Sequence, residues 1–321
     1  MHKEYKKTMV LPAGTCVKAW APATVANLVC GFDVLGMALH EPRDIMTLTL
    51  RTEPGLTITH TDAYRLPAEP EKNVAGAALL AMLEEVPEPV GFDLVIEKCI
   101  KPGSGLGSSA ASSAGAVVAA NYLLGQRFAG NDLVRFAMHG EKVASGVKHA
   151  DNIAPCILGG VTLIRSIFPL DIVTLDAPPL YVTVVHPQIE VRTADARQIL
   201  RKEVQLKSAI RQWGNIAGLV AGLMKGDYDL IGRSLEDVII EPVRSILIPG
   251  FDEVKKRSTA AGALGGGISG SGPSIFMLSK EESVARIVEK EMMNVYTRLG
   301  VEYKTYVTTI SHQGVIVAQQ S

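Results

Sequence analysis

A ten-residue string of small residues, Pro102-Gly103-Ser104-Gly105-Leu106-Gly107-Ser108-Ser109-Ala110-Ala111, constrains this chain more than any other segment. The residues leading into it alternate. Phe92, Leu94, Ile96 and Ile100 fall on one face and Asp93, Val95 and Glu97 on the other, the period of a strand. Residues 108–124, on its far side, are rich in Ala and Val and read as a helix. The chain must turn from strand into helix through residues with almost no side chain. Three alternating glycines allow positive φ and a close approach of backbone to a ligand. The helix start presents N–H groups without intrahelical partners beside the Ser108 and Ser109 hydroxyls, which favours an anion, usually phosphate. A serine-capped turn with no ligand shares the same local pattern. The string is no Walker A loop, because no Gly-Lys-Ser/Thr comes after it, and no GxGxxG, because Ser stands at 108.

Three further segments carry polar residues that need an explanation. Gly265-Gly266-Gly267-Ile268-Ser269-Gly270-Ser271-Gly272-Pro273 satisfies GxGxxG by spelling, but Pro273 and apolar residues 275–278 announce a strand afterwards, not a helix. A tight loop packed against the first glycine loop or the substrate is expected, in preference to a flexible linker. Asn27 and Asp33 interrupt a mostly apolar stretch; buried polar groups must be paired, so they hold a turn or face a ligand. Glu141 sits on an expected helix, shortly before His149-Ala150-Asp151-Asn152. A helical Glu is usually solvated, and a lone His is usually structural; a carboxylate there could instead hold Mg²⁺, which takes few carboxylates plus phosphate oxygens and water.

The totals exclude several classes. With 32 basic and 33 acidic side chains, the 321-residue chain has a formal charge of −1, so nothing points to nucleic acid or a membrane surface. Cys16, Cys30, Cys99 and Cys156 form no CxxC pattern and read as reduced thiols of a cytoplasmic protein. No apolar stretch comes after the charged residues 1–7, so no secretory signal is expected. The uncharged runs 102–126 and 259–279 are too rich in Gly and Ser for membrane spans.

Strands are expected at 17–20, 45–52, 56–59, 92–100, 157–164 (broken by Gly159-Gly160), 180–186, 274–278, 303–309 and 314–318. Helices are expected at 73–85, 108–124, 132–145, 194–202 (capped by Thr193), 251–261 and 281–299, with Ile210, Trp213, Ile216, Val220 and Leu223 at helical spacing. The irregular mixture reads as α+β, not as a doubly wound sheet. Phe168-Pro169 and Pro178-Pro179 mark a junction, dividing the chain into 1–168 and 169–321.

Together, Pro102–Ala110, Gly267–Pro273 and the opening Lys18-Ala19-Trp20-Ala21-Pro22-Ala23 resemble the three motifs of the GHMP kinases. A wider set resembles the homoserine kinase branch: Ala26-Asn27, Gly31-Phe32-Asp33-Val34-Leu35-Gly36, His149 to Cys156, Thr193 to Leu200, and Glu241-Pro242-Val243-Arg244. One departure is Leu28-Val29-Cys30, where many relatives carry smaller residues. The resemblance implies a two-domain fold: an N-terminal domain of the ribosomal protein S5 domain 2-like type and a ferredoxin-like C-terminal domain. It implies phosphoryl transfer from ATP to the side-chain hydroxyl of homoserine, with Mg²⁺, in a cytoplasmic homodimer. Implied ATP contacts are Asn73 at the purine and Pro102, Gly103, Ser104, Gly105, Leu106, Gly107, Ser108, Ser109 and Ala110 at the phosphates. Ser109 and Glu141 would hold the metal. Arg197 and Arg244 would take the substrate carboxylate and Asp33 the ammonium, with Asn27, His149, Asn152 and Gly270 around the rest. Where relatives place an Asp base, Asn152 stands, and an amide takes no proton at neutral pH. Catalysis would then rest on Asn152, Glu141 and Ser109 by positioning, with Asp151 the adjacent candidate for a base. The alternatives are a mevalonate- or sugar-type GHMP kinase and a non-catalytic ligand sensor on the same fold.

Overall fold

The computed structural model describes residues 10–191 and 193–320. Its first sheet carries β1 (Cys16–Ala26), β2 (Leu35–Arg51), β3 (Gly55–His60) and β4 (Gly91–Glu97). Over it lie α1 (Val74–Leu83), α2 (Ser108–Leu123), α3 (Gly130–Ser145) and the short α4 (Ile153–Leu158), followed by β5 (Val161–Ile167) and β6 (Leu170–Leu175). Then come β7 (Tyr181–Pro187), α5 (Thr193–Gln198), α6 (Leu206–Lys225), α7 (Tyr228–Ser234), α8 (Glu241–Arg244) and α9 (Phe251–Ala260). The chain finishes with β8 (Gly265–Ile268), β9 (Ile275–Ser279), α10 (Glu282–Leu299), β10 (Tyr303–Thr309) and β11 (Ile316–Gln319). The first sheet runs β11-β1-β2-β4-β3, with β5 on the far end of β2 and β6 beside it; the second runs β10-β7-β9-β8.

The second sheet is buried on both faces. Val182, Val184, Phe276 and Leu278 join the large core under the first sheet. Val185, Ile275 and Met277 join a second cluster with Phe251, Val254 and Tyr296 of α9 and α10. Strands buried on both faces read as continuous apolar runs, as 182–185 and 275–278 do.

Three expectations need correction. Residues 157–164 are no broken strand: α4 ends at Gly159, φ +79°, and β5 begins two residues later. A short apolar run fits either element by periodicity. The second glycine segment is only half loop, because 265–268 pair antiparallel with β9; glycine is scarce in strands and hid this one. Phe168-Pro169 turns the β5–β6 hairpin, so the chain leaves the first sheet in the connection after Leu175, and β11 returns to pair with β1. The expected Thr193 cap concerns a side chain outside the described set.

The sheet-to-helix turn is fastened from three sides. Thr24 N–H on β1 donates to Leu106 O at 3.1 Å, and Ser274 N–H to Ser104 O at 3.2 Å. Ser269 Oγ donates to Gly105 O at 2.7 Å, so the two glycine loops pack together as expected. Beneath them the buried Lys98 ammonium pairs with Asp44 and also donates to Ser108 O at 2.7 Å and Ser112 Oγ at 2.8 Å. Asp44 Oδ1 in turn accepts the N–H groups of Cys99 and Ile100. Strand exit and helix start are thereby tied to one buried ion pair.

Gly140 lets α3 cross close to its neighbours. A Cβ there would stand 2.2 Å from both Ser113 Oγ and Val74 O. Gly140→Ala is therefore expected to lower unfolding stability by about 1–3 kcal/mol through overpacking. Denaturant melts check this; an unchanged midpoint would contradict the close crossing.

Candidate active site

A cleft of about 640 Å³ opens over the start of α2. Gly107 caps that helix in the left-handed conformation, φ +67°, and no side chain caps its first N–H groups. Those donors, with the positive end of the helix dipole, face the cleft wall formed by Gly105, Gly107, Ser108 and Ser109. A Cβ on Gly107 would lie 2.0 Å from Thr24 Oγ1, so glycine is required for both reasons. Not every residue of the string faces the cleft. Ser104, Leu106 and Ala110 are buried in the packing behind it. The Ser108 hydroxyl is not offered to a ligand either, because it donates to Ile100 O at 2.8 Å.

Ser109 Oγ donates to Glu141 Oε2 at 2.9 Å, bringing together two residues read separately from the sequence. Asn152 and Asp151 line the same cleft. Asn152 Oδ1 accepts the Thr24 hydroxyl at 2.7 Å, which leaves its amide N–H groups as donors to the cleft. Asp151 is 5 % exposed, and its Oδ1 accepts the N–H of Asn152. Burial, reinforced by the charges of Asp33 and Glu141, pushes its carboxyl up to about 7.

A second group gathers around Phe32. Arg197 and Arg244 lie 5.4 and 4.9 Å from its ring. Arg197 Nη2 donates to both oxygens of Asp33, at 2.8 and 3.1 Å. Arg244 donates to Ala196 O and Gly270 O; burial, then the charge of Arg197, brings it down to about 10, still a cation at neutral pH. Asn27 Nδ2 donates to the same Gly270 O at 2.9 Å, and its Oδ1 accepts Asp33 N–H. His149 Nδ1 stands 3.8 Å from Asp33, while its buried Nε2 has no partner. Burial above all holds the imidazole below its ordinary range, so it is neutral.

The turn that carries Asn27 and Asp33 is strained. Asn27, Leu28, Val29 and Asp33 all have positive φ, uncommon outside glycine and rare for a β-branched residue. The larger Leu28, Val29 and Cys30 offset this by burial in the core.

Asn73 behaves differently from its implied purine role. It is buried, its Oδ1 caps α1 by accepting Ala75 and Gly76 N–H, and its Nδ2 donates to Pro67 O. Its neighbours Lys72 and Val74, with Leu66, Val143 and Ala144, line the cleft instead. Sequence reasoning passed over these five, since isolated apolar residues and a single lysine give no signal of a ligand wall.

Comparisons with known proteins agree with this fold. Residues 73–160 match the family model described as GHMP kinases N terminal domain, and residues 219–296 that described as GHMP kinases C terminal. The chain is 46 % identical over 312 residues to the homoserine kinase of Chloroherpeton thalassium, covering 93 % of this chain and 98 % of the relative. It is 41 % identical over 290 residues to that of Methanocella arvoryzae, covering 90 % and 93 %. The crystal structure of homoserine kinase from Cytophaga hutchinsonii matches with a TM-score of 0.91 at 49 % identity, over 94 % of this chain and 97 % of that one. L. major mevalonate kinase in complex with R-mevalonate shares the fold, with a TM-score of 0.72 at 17 % identity over 96 % and 99 % of the two chains.

The raised Asp151 carboxyl sets a pH dependence. Unfolded, the group titrates near 3.8; folded, near 7. Between those values the folded chain keeps a proton that the unfolded chain has lost, so this group's contribution to stability falls as pH rises through the window and is level above it. Asp151→Asn removes that loss. Its stability relative to the parent is expected to rise from pH 4 to 7 in denaturant melts; a pH-independent difference would contradict the burial argument.

Proposed function

The chain belongs to the homoserine kinase family of the GHMP kinases, and from that premise we propose how its cleft divides the work. The reaction transfers the γ-phosphoryl group of ATP to the side-chain hydroxyl of L-homoserine, giving O-phospho-L-homoserine and ADP for threonine biosynthesis. The triphosphate lies against the uncapped start of α2, with the backbone of Gly103, Gly105, Gly107, Ser108 and Ser109 around it. The purine rests against Leu66, Val74 and Val143 rather than on the Asn73 side chain. Nucleotide binding belongs to the part of the chain before the connection that follows Leu175, while the part after it supplies Arg197, Arg244 and Gly270.

Ser109 and Glu141 would hold Mg²⁺. The described residues hold no cluster of three His, Cys, Asp or Glu side chains, so a cation there draws on one carboxylate, one hydroxyl, phosphate oxygens and water, the set Mg²⁺ favours. When bound, it neutralises charge on the β- and γ-phosphates. The observation that carries this assignment is the 2.9 Å Ser109–Glu141 contact beside the uncapped helix start.

At the acceptor end, Asp33 takes the ammonium of homoserine, and Arg197 with Arg244 the carboxylate. Asn27, His149 and Gly270 pack around the rest. Asn152 donates an amide hydrogen bond to the hydroxyl oxygen and so aims its lone pair at the γ-phosphorus. That oxygen bonds to phosphorus as the bond to the β–γ bridging oxygen breaks, and the proton leaves late to the transferred phosphoryl group. A loose transition state needs little activation of the nucleophile, so positioning and charge stabilisation suffice. We extend the proposal to a cytoplasmic homodimer. The four thiols are free, and among the described residues no helix is long and apolar enough to cross a membrane.

Two measurements test this. A coupled ADP-release assay with homoserine, mevalonate and galactose is expected to give turnover with homoserine alone; turnover with either rival would overturn the pocket assignment. Glu141→Gln is expected to lower kcat by at least about a hundredfold, and Asp151→Asn by much less. Were Asp151→Asn the more damaging change, Asp151 would be the base and the base-free mechanism would fail.

A further inference from the structure

In the amino-acid pocket, the two side chains assigned to opposite charges of the substrate's zwitterion are bonded to each other. Both Asp33 oxygens accept from Arg197 Nη2, at 2.8 and 3.1 Å. The Asp33 backbone is fixed, at φ +61° with its N–H held by Asn27 Oδ1 at 3.0 Å, and its side chain is short. Arg244 is fixed too, 3 % exposed and held by two backbone carbonyls. Neutral His149 brings no counter-charge to Asp33. Arg197, with its side chain 36 % exposed, is the group with freedom to move.

We propose that the Arg197–Asp33 ion pair is a charge-matched gate to the amino-acid pocket. This inference rests on the substrate assignment above. Homoserine carries its ammonium and carboxylate on one carbon, so it exchanges the internal pair for two intermolecular ones and leaves no charge unmatched. A ligand with only one of the two charges opens the same pair but strands Asp33 or Arg197 without a partner. Sites lined by polar groups reject ligands that leave those groups unpaired. The pair thus selects zwitterions over simple hydroxy acids and amino alcohols.

The test uses the full chain with saturating ADP and calorimetric binding of homoserine, 4-hydroxybutyrate (carboxylate only) and 4-amino-1-butanol (ammonium only). Homoserine is expected to bind the parent at least about a hundredfold tighter than either analogue. Asp33→Asn frees Arg197, so it weakens homoserine yet tightens 4-hydroxybutyrate about three- to tenfold. Arg197→Gln does the same for 4-amino-1-butanol. The gain persists at roughly 0.5 M salt, where repulsion beyond contact range is screened. A crystal structure with homoserine bound shows Arg197 withdrawn from Asp33. If neither variant gains affinity for its analogue, or the complex keeps the Arg197–Asp33 contact, the gate is overturned while the substrate assignment stands. If the parent binds no homoserine, the assignment fails and the gate falls with it.

Discussion

The uncapped first turn of α2 is the constraint that the rest of the structure serves. Donors left without intrahelical partners at a buried helix end are costly unless a ligand or water meets them. The fold keeps them open by placing Gly107, not a side-chain cap, at the turn. It then locks the loop from behind with Thr24, Ser269 and the Lys98–Asp44 pair. A chain of net charge −1 can hold a polyanion only by such local aim, since bulk electrostatics offer nothing.

β1 is what puts donor and acceptor in register. Its Thr24 N–H holds the first glycine loop at Leu106, while the Thr24 hydroxyl holds Asn152. Three residues on, the same strand runs into the strained turn bearing Asn27 and Asp33. Small shifts of β1 would therefore move the glycine loop, the Asn152 amide and the Asp33 carboxylate together. The close crossing at Gly140 performs the matching service for Glu141, next in sequence, by bringing α3 against the helix that carries Ser109.

The local patterns were legible in the sequence; the pairings were not. Alternation into residue 100, glycines at 103, 105 and 107, and an Ala-rich run afterwards dictated strand, turn and helix. Asn27 and Asp33 stood out as polar residues in an apolar stretch, and both proved to brace a turn. No local pattern could join Ser109 to Glu141, 32 positions away, or Arg197 to Asp33, 164 away. Side chains of mixed capacity misled for a physical reason. Ser108 and Asn73 satisfy backbone groups before any ligand could reach them, a common fate of Ser and Asn at helix starts. Residues 157–158, at the end of α4, and 265–268 were misread because apolar content and glycine content override periodicity in segments of four to six residues.

One crystal structure would test the central claim most directly: this chain with a non-hydrolysable ATP analogue and magnesium. The account predicts β- and γ-phosphates within hydrogen-bond reach of the first-turn amides of α2, with the metal against Ser109 and Glu141. A triphosphate bound elsewhere, with that helix start facing only water, would contradict it.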